Sequence, residues 1–458
     1  QPTTLTLGPS TLEFSSVANA GTTTAPLNPG SVTRNGAVTV NVKSISGAIT
    51  VGGTGYPLVG NMAGSTAGYT LGTQPPGVSG HLAVSGTTLT FVVDTVSDIW
   101  NAASPGGNWD IASTANWTGN AAANTPANTF ANGDNVLFND TVAGPQAVAV
   151  AAAVMPGAVN VDNTATDYSI TSSGANVIGG TSGLAKSGTG TLTLSGPNTY
   201  SGGTTLSAGQ LNINDGGTSS ANSAIGTGPL TIAGGTLGNT GAGDVTLLPN
   251  NPQNWNGNFG YAGAGFNLNL GTGAVTPNAS RVINVSANTL TVGGVIGGGA
   301  ISLTKTGNGT LTLSGANTFS GGLTLSAGQL NLGNASAVGT GNLTINGGTI
   351  DNTSGGNLTL AANNAQVWGG NFSYAGTANS LNLGTGTVTL TGTRTVNVDA
   401  NSLTVAGTIG GAFGITKTGA GTLVLLNANT YRNNGAADTL VNGGTLALST
   451  FNQTVGAV

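Results

Sequence analysis

The chain has 458 residues, of which 8 are Lys or Arg and 13 are Asp or Glu, and its net charge is −5. It has no basic stripe and no polybasic segment, so nucleic acid and anionic membrane surfaces are not expected partners. It contains no Cys, which excludes disulfides and thiolate metal sites, and no run of 18 apolar residues, so we expect no membrane insertion by this segment.

Strands separated by glycine turns are predicted along the whole chain. Gly accounts for 80 residues, more than twice its usual share, and Leu, Ile and Val alternate with Thr, Ser and Asn between the glycines. Alternation with a period of two is typical of half-buried strands, and it argues against disorder despite the low charge. The sequence therefore predicts an ordered, all-β chain without significant helix.

Residues 1–97 and 98–183 form two predicted modules that precede the clear repeats. The first module contains TLTLGPSTLEF and GHLAVSGTTLTFVVD, which both alternate as strands do. The second is rich in tryptophan, with Trp100, Trp109 and Trp117 in one loop-rich stretch. We expect this second module to hold an opening segment and the first coils of a repeat structure.

The remainder of the chain repeats itself. Similar segments begin at Leu184, Leu303 and Ile415 and read LAKSGTGTLTLSGPNTYSGG, LTKTGNGTLTLSGANTFSGG and ITKTGAGTLVLLNANTYRNN. A longer stretch that begins at Ser223 returns from Ser336, at an offset of 113 residues. These similarities define two β-solenoid repeats, 184–302 and 303–414, and a partial third repeat, 415–458.

Near-identical segments favour a parallel β-helix over an antiparallel sandwich. Each coil can pair in register with a similar neighbour, so that Thr and Asn form ladders while Gly takes the tight corners. We expect coils of about 20–25 residues that rise about 4.8 Å each. Aliphatic side chains should fill the interior: Leu192, Leu194, Leu206 and Leu211 in one copy, and Leu311, Leu313, Leu325 and Leu330 in the next.

Three lysines recur at one place in the repeat, immediately before a Gly-rich turn. They are Lys186, Lys305 and Lys417. One interpretation is a row of cations that binds an anionic glycan, and the other is a solvated corner that keeps the sheet soluble. Because the lysines are more than a hundred residues apart in sequence, we favour the solvated corner.

The sequence offers few residues that could catalyse a reaction. The closest acidic pairs are Asp94 with Asp98 and Asp162 with Asp167, and Asp134 lies in a predicted turn. We interpret these acids as loop caps rather than catalytic groups.

The only histidine, His81, lies at a predicted strand edge and is interpreted as a surface residue. Metalloprotease, nucleophile-elbow, P-loop and calcium-nonapeptide motifs are absent. We therefore expect no catalytic, cofactor-binding or metal-binding residue and no cofactor.

Two tryptophans occupy equivalent repeat positions. Trp255 maps onto Trp368, just as Tyr261 maps onto Tyr374. Such rings could be platforms on which sugars stack, or they could seal irregular coils where apolar cover is thin. Repetition at equivalent positions favours the structural interpretation.

The segment LTKTGNGTLTLSGANTFSGGLTLSAGQLNLG (303–333) resembles the autotransporter-associated β-strand repeat, also called the passenger-associated transport repeat. The copy at 184–213 is as similar, whereas the copy at 415–448 departs from the pattern after Tyr431. The stretch 99–138 resembles the opening of such modules, and residues 1–97 resemble their close. The resemblance implies a secreted, right-handed parallel β-helix that is displayed outside a bacterial cell.

These features predict a structural extracellular or cell-surface protein that forms a fibre. The fibre would arise by head-to-tail stacking of coils, either through self-association or as covalent tandem repeats of a longer chain. The alternative is an adhesive, autotransporter-like passenger that binds surface glycans or a host or matrix surface. A polysaccharide-active β-helix enzyme is the least favoured hypothesis.

Overall fold

A computed structural model describes residues 4–17, 25–45, 49, 55–62, 65–75, 77–104, 107–119, 127–263, 265–432 and 439–449. These residues form strands and turns without a helix, which confirms the predicted all-β class. Accordingly, no described segment is a helix that could span a bilayer. The chain divides into two compact units, unit 1 (Gln1–Asp162) and unit 2 (Asn163–Val458).

Unit 1 contains short strands in its described residues. They are β1 (Leu5–Leu7), β2 (Ser10–Phe14), β3 (Val32–Arg34), β4 (Val38–Val42), β5 (Tyr56–Val59), β6 (Tyr69–Leu71), β7 (Val78–Ser85), β8 (Thr88–Trp100), β9 (Asn108–Trp109), β10 (Trp117–Gly119), β11 (Asn135–Asn139), β12 (Gln146–Val150) and β13 (Ala158–Asp162). Parallel pairs join β1 to β3, β2 to β4, β4 to β6, β9 to β12, β8 to β11 and β11 to β13.

One part of unit 1 differs from the predicted parallel coil. Strands β7 and β8 form an antiparallel hairpin in which Ser85 lies opposite Thr88, and β5 also pairs with β8 in the antiparallel sense. Gly86 stands between them with φ of 63°, a conformation that a two-residue hairpin turn requires. The sequence GHLAVSGTTLTFVVD therefore folds back on itself instead of advancing to a new coil.

Unit 2 begins with the first full repeat. Its strands up to residue 292 are β14 (Tyr168–Thr171), β15 (Leu184–Ser187), β16 (Thr191–Ser195), β17 (Thr204–Leu206), β18 (Gln210–Ile213), β19 (Leu230–Ile232), β20 (Thr236–Gly238), β21 (Val245–Thr246), β22 (Gln253–Trp255), β23 (Phe259–Tyr261), β24 (Leu268–Asn269), β25 (Val275–Pro277), β26 (Arg281–Val285) and β27 (Thr289–Val292).

The second repeat and the partial third continue in the same way. Their strands are β28 (Leu303–Thr306), β29 (Thr310–Leu313), β30 (Leu323–Leu325), β31 (Gln329–Leu332), β32 (Leu343–Ile345), β33 (Thr349–Asn352), β34 (Leu358–Thr359), β35 (Gln366–Trp368), β36 (Phe372–Tyr374), β37 (Leu381–Asn382), β38 (Val388–Leu390), β39 (Arg394–Val398), β40 (Ser402–Val405), β41 (Ile409–Gly410), β42 (Ile415–Thr418), β43 (Thr422–Leu425), β44 (Thr439–Val441) and β45 (Thr445–Leu448).

Four parallel sheets form unit 2, and successive coils supply successive strands of each. Sheet 1 has the order β15-β17-β19-β22-β25, and sheet 4 has the order β34-β37-β40-β43-β45. Sheet 3 runs β21-β24-β27-β29-β31-β33-β36-β39-β42-β44. Sheet 2 runs β14-β16-β18-β20-β23-β26-β28-β30-β32-β35-β38-β41 within this unit. The predicted β-solenoid is thus confirmed, while its right-handedness and the five module boundaries stay predictions.

The coils are close to the predicted length. Leu192 lies opposite Leu211, 19 residues later, and Leu211 lies opposite Leu237, 26 residues later. All eight leucines expected in the core are buried. Since inward positions stack on inward positions at each step, one aliphatic column runs through the coils from 184 to 414.

We expect Leu311→Ala to lower the free energy of unfolding by about 2–5 kcal/mol, because it leaves a cavity in this column. Thr312→Ala is the matched control, since Thr312 is the outward neighbour on the same strand, and it should cost less than about 1 kcal/mol. Urea unfolding followed by far-UV circular dichroism measures both. Equal losses in the two variants would contradict a leucine-filled interior.

Candidate functional site

The three recurring lysines lie inside the solenoid. Each has 0% exposed surface, and each ammonium donates to backbone carbonyls of its own turn and of the next coil. Lys305 Nζ donates to Thr306 O (2.8 Å), Gly307 O (2.7 Å) and Ala327 O (3.2 Å). The charge is therefore held by three backbone dipoles, which is how a buried ammonium can offset the loss of water.

The other two lysines repeat this arrangement. Lys186 Nζ donates to the carbonyls of Ser187, Gly188 (2.9 Å) and Ala208 (3.4 Å). Lys417 Nζ donates to the carbonyls of Thr418 (2.6 Å), Gly419 (2.9 Å) and Gly443 (3.1 Å). We call each such group, a lysine with its own turn and the turn of the next coil, a lysine turn.

The burial of these lysines corrects both interpretations of the sequence. A solvated corner is wrong, and so is a row of cations facing a glycan, because the side chains point inward where the strand alternation places core residues. The sequence rule that Lys is exposed fails here since the repeated turns supply the carbonyl acceptors. Burial lowers the pKa of Lys305 to about 8 and also lowers the pKa of Lys417.

A glycine of the following coil leaves room for each lysine turn. Gly328 has φ of 70°, and a side chain there would meet Lys305 Nζ at 2.8 Å and Gly307 O at 2.3 Å. Gly209 stands in the same position over Lys186, with φ of 71°. The SAG segment of the repeat is thus required both for its backbone conformation and for close approach to the lysine turn.

A second internal motif is the Asn of NTY or NTF, which joins three successive coils. Asn317 Oδ1 accepts from Ile296 N (2.8 Å) in the preceding coil, and its Nδ2 donates to Ala337 O (2.7 Å) in the following one. Asn198 makes the equivalent bonds to Ile178 N (3.0 Å) and Ala224 O (2.9 Å). Buried amides in these positions satisfy backbone groups that leave the strand ladder.

The aromatic residue two positions after this Asn differs between the copies, and the residue four positions after it differs as well. The hydroxyl of Tyr200 lies 2.7 Å from Thr204 Oγ1, in the buried interior. In the second copy, Phe319 and Leu323 replace this pair, and both are buried. The hydroxyl and its partner are thus exchanged together, so neither copy contains a buried polar group without a partner at this position.

The repeated tryptophans are structural, as the sequence indicates. Trp255 and Trp368 are fully buried, and their indole nitrogens donate to Gln253 Oε1 and Gln366 Oε1, both at 3.2 Å. Each ring also packs edge-on against a phenylalanine four residues later, at centroid distances of 5.1 and 5.0 Å. No face of these indoles is available to a sugar.

Arg281 and Arg394 complete this interior network. The Nε of each donates to the backbone carbonyl of Trp255 or Trp368, at 2.9 Å in both copies. Tyr261 and Tyr374 bond the carbonyls of Phe266 and Asn379, and burial is the main cause that raises the pKa of both tyrosines. The repeated polar residues therefore serve the coil connections.

The tryptophans of unit 1 form one buried aromatic cluster. Trp117 contacts both Trp100 and Trp109, and the three indoles pack against Phe138, with Phe130 beside Trp109 and Trp117, at centroid distances between 5.1 and 6.0 Å. All five rings have 0% exposed surface. The loop-rich stretch predicted from the sequence is thus held together by these ring contacts together with short strand pairs, such as the antiparallel pair of β10 with β8.

Of the acids singled out in the sequence, one lies beside the histidine. His81 Nδ1 lies 2.9 Å from Asp94 Oδ1 across the β7–β8 hairpin, and both side chains are about half exposed. Asp98 is buried, so the predicted pair Asp94 and Asp98 is not a pair of neighbouring surface groups. Because β7 and β8 form an antiparallel hairpin, His81 lies beside Asp94. Consecutive strands of a parallel coil do not pair with each other, so a coil would not bring these two residues together.

Of the other acids, Asp134 caps its own loop, whereas Asp167 bonds the start of a strand in the next coil. Asp134 accepts from Ala131 N at 2.8 Å, and Asp167 accepts from Thr191 N at 2.7 Å. Asp162 ends β13 with an exposed side chain. Among the described residues, no group of three His, Asp or Glu side chains is placed to hold a metal ion.

In the first repeat, residues 214–217 and 242–246 line a polar surface cavity of about 360 Å³. It contains Asp215 and Asp244, which each accept bonds from backbone amides, from Gly217 N at 2.6 Å and from Asn267 N at 2.9 Å. The bonds from the backbone and side chain of Asn267 hold the pKa of Asp244 below its usual value. Both acidic side chains thus accept backbone bonds that order their loops.

The repeats match a family of known proteins. A family model described as the passenger-associated-transport-repeat matches residues 184–213, 303–332 and 415–448. These three segments are passenger-associated transport repeats. The third match continues past Tyr431 to residue 448, although the sequence departs from the pattern there. Each matched segment carries one lysine turn.

One curated relative extends the similarity beyond these segments. The "Adhesin BmaC autotransporter" of Brucella suis biovar 1 (strain 1330) is 32% identical in an alignment of 224 residues that covers 44% of this chain and 6% of the relative. The chain thus spans a small fraction of that protein's length. No solved structure matches the chain significantly. The chain thus contains a β-solenoid that carries three passenger-associated transport repeats.

We expect Lys305→Met to destabilise the repeat, since it removes the donor to three buried carbonyls, each worth about 1–3 kcal/mol when left unsatisfied. The folded pKa near 8 lies below the ordinary value of 10.5. Between about pH 8 and pH 10.5, Lys305 has released its proton in the folded chain but keeps it in the unfolded chain. The contribution of Lys305 to stability therefore rises with pH across this range.

Urea unfolding at pH 7 and at pH 10 measures this effect, with Lys43→Met on the exposed surface of unit 1 as the control. The stability difference between the wild type and Lys305→Met should grow between the two pH values. A difference that shrinks, or a Lys305→Met variant as stable as Lys43→Met, would show that the ammonium is not buried as described.

Proposed function

We propose that the chain is a scaffold segment of a secreted bacterial surface passenger, and that its role is structural and adhesive rather than enzymatic. The observation that carries this proposal is the use of the repeated polar side chains. Lysines, asparagines and arginines at equivalent positions bond backbone groups of the chain itself, and the tryptophans bond buried glutamines. Their repetition extends a scaffold, whereas an enzyme needs one pocket in which such groups are free to meet a substrate.

The adhesive part of the proposal rests on the relative that is named an adhesin. A long, thinly charged solenoid of hydroxyl and amide groups can hold contact surfaces away from a cell. Glycans or matrix polymers, which offer many hydrogen-bonding groups, are the partner class that suits such a surface. The match to the passenger-associated-transport-repeat supports surface display outside a bacterial cell.

Beads coated with the purified chain should bind a glycan or matrix surface, while beads coated with chain unfolded in urea should not. The same protein should release no product from polysaccharides, and His81→Ala should change neither result. Turnover that is lost in His81→Ala would favour the enzyme hypothesis. If the folded chain did not bind, the adhesive part of the proposal would be wrong and the scaffold part would stand.

A second feature supports stacking of further coils on the last described strands. Val441 and Leu448 lie opposite Lys417 and Leu425 in the inward columns, yet they are 36% and 43% exposed. Their partners in the preceding coil are buried. In the described part of the chain no strand pairs with the outer edges of β44 and β45. An exposed core column at such edges favours the addition of another coil, either from a tandem repeat or from a second molecule.

We expect the purified chain to form unbranched filaments at high concentration, visible by electron microscopy. Val441→Asp should block them because it places a charge in the inward column. Leu440→Asp is the matched control, since Leu440 is an outward neighbour on the same strand and is 45% exposed. Filaments that survive Val441→Asp, or a chain that stays monomeric at every concentration, would argue against association through this end.

A further inference from the structure

Each repeat moves one sheet further round the solenoid than the repeat before it. The strand that carries the first lysine turn, β15, belongs to sheet 1, whereas its counterpart β28 belongs to sheet 2 and the third copy, β42, belongs to sheet 3. The same shift applies to all thirteen strands from β15 to β27, whose counterparts are β28 to β40. Equivalent surfaces of neighbouring repeats are therefore not on the same sheet.

Sheets 1 and 4 lie on the same side of the coil. Along the chain, β22 of sheet 1 follows β21 of sheet 3 and precedes β23 of sheet 2. In the second repeat, β34 of sheet 4 takes the same position between β33 of sheet 3 and β35 of sheet 2. Stacked turns connect the two: Thr318 N donates to Ile296 O (3.0 Å), and Thr340 N donates to Phe319 O (2.9 Å). The solenoid of unit 2 is thus three-sided.

The number of coils per repeat explains the shift. From β15, sheet 1 advances through β17, β19, β22 and β25 to a bridge at Ile296, and the chain then passes one more side to reach β28. From β28, sheet 2 advances through five coils to β41 before β42 begins on the next side. Each repeat is five coils plus one side, a rise of about 26 Å at about 4.8 Å per coil.

We infer that each repeat turns the outward surface of the chain by one third of a revolution. Three repeats then complete one turn, and the same surface returns to the same side after about 77 Å. A rigid, flat partner on one side meets an equivalent surface only in every third repeat. A partner that follows the rod round its axis meets one in every repeat.

Distances between spin labels test this geometry. Thr191 on β16 and Thr306 on β28 share one outward column of sheet 2, five coils apart. Thr310 on β29 is the repeat equivalent of Thr191, but it belongs to sheet 3. We expect Thr191→Cys/Thr306→Cys to give the axial distance of about 24 Å, and Thr191→Cys/Thr310→Cys to be longer by about 5–10 Å, because its labels point away from different sides.

If the repeats stacked in line, Thr191→Cys/Thr310→Cys would give the shorter distance and Thr191→Cys/Thr306→Cys the longer one. That outcome would overturn the inference. A second set keeps the test independent of any one variant. Thr304 and Gly410 lie in one column of sheet 2, while Thr416, the repeat equivalent of Thr304, lies on sheet 3. The Thr304→Cys/Gly410→Cys pair should again give the shorter distance. A side chain at Gly410 makes only an ordinary contact, 3.7 Å from Thr430 Oγ1.

Discussion

The in-register parallel pairing of successive coils is the constraint on which unit 2 depends. Once a coil pairs with the next, every inward position stacks on an inward position, so the core is continuous without any contact between distant parts of the chain. The same pairing places each turn over the turn of the coil before it. Side chains at the turns must then satisfy backbone groups that the strand ladders leave over.

The lysine turns show how this requirement is met. A turn that presents several carbonyls to the interior needs a donor, and a long side chain with three N–H groups can reach all of them. Lysine buries a charge to do so, and the three carbonyl bonds offset that cost. Asn317 and Arg281 solve the same problem at the other corners, with amide and guanidinium groups that bridge neighbouring coils.

The functional proposal follows from the direction in which the polar side chains point. In the described residues the repeated cations and aromatics face inward, and the outward positions of the strands carry mostly Thr, Ser and Asn. A surface of this kind offers many weak hydrogen bonds rather than one strong site, and its contribution to binding grows with the number of contacts. Length and the angular placement of repeats then become the properties that matter for a partner.

The sequence by itself determined the all-β class, the stacked parallel coils, the leucine column and the structural role of Trp255 and Trp368, because periodicity and repetition report directly on strand faces. Tertiary structure decided the rest. Lys305 is inside because carbonyls from two different coils surround it, and no local pattern contains that information. His81 meets Asp94 because one segment turns back as a hairpin. The turn of one side per repeat depends on the summed length of five coils, which only the paired strands make visible.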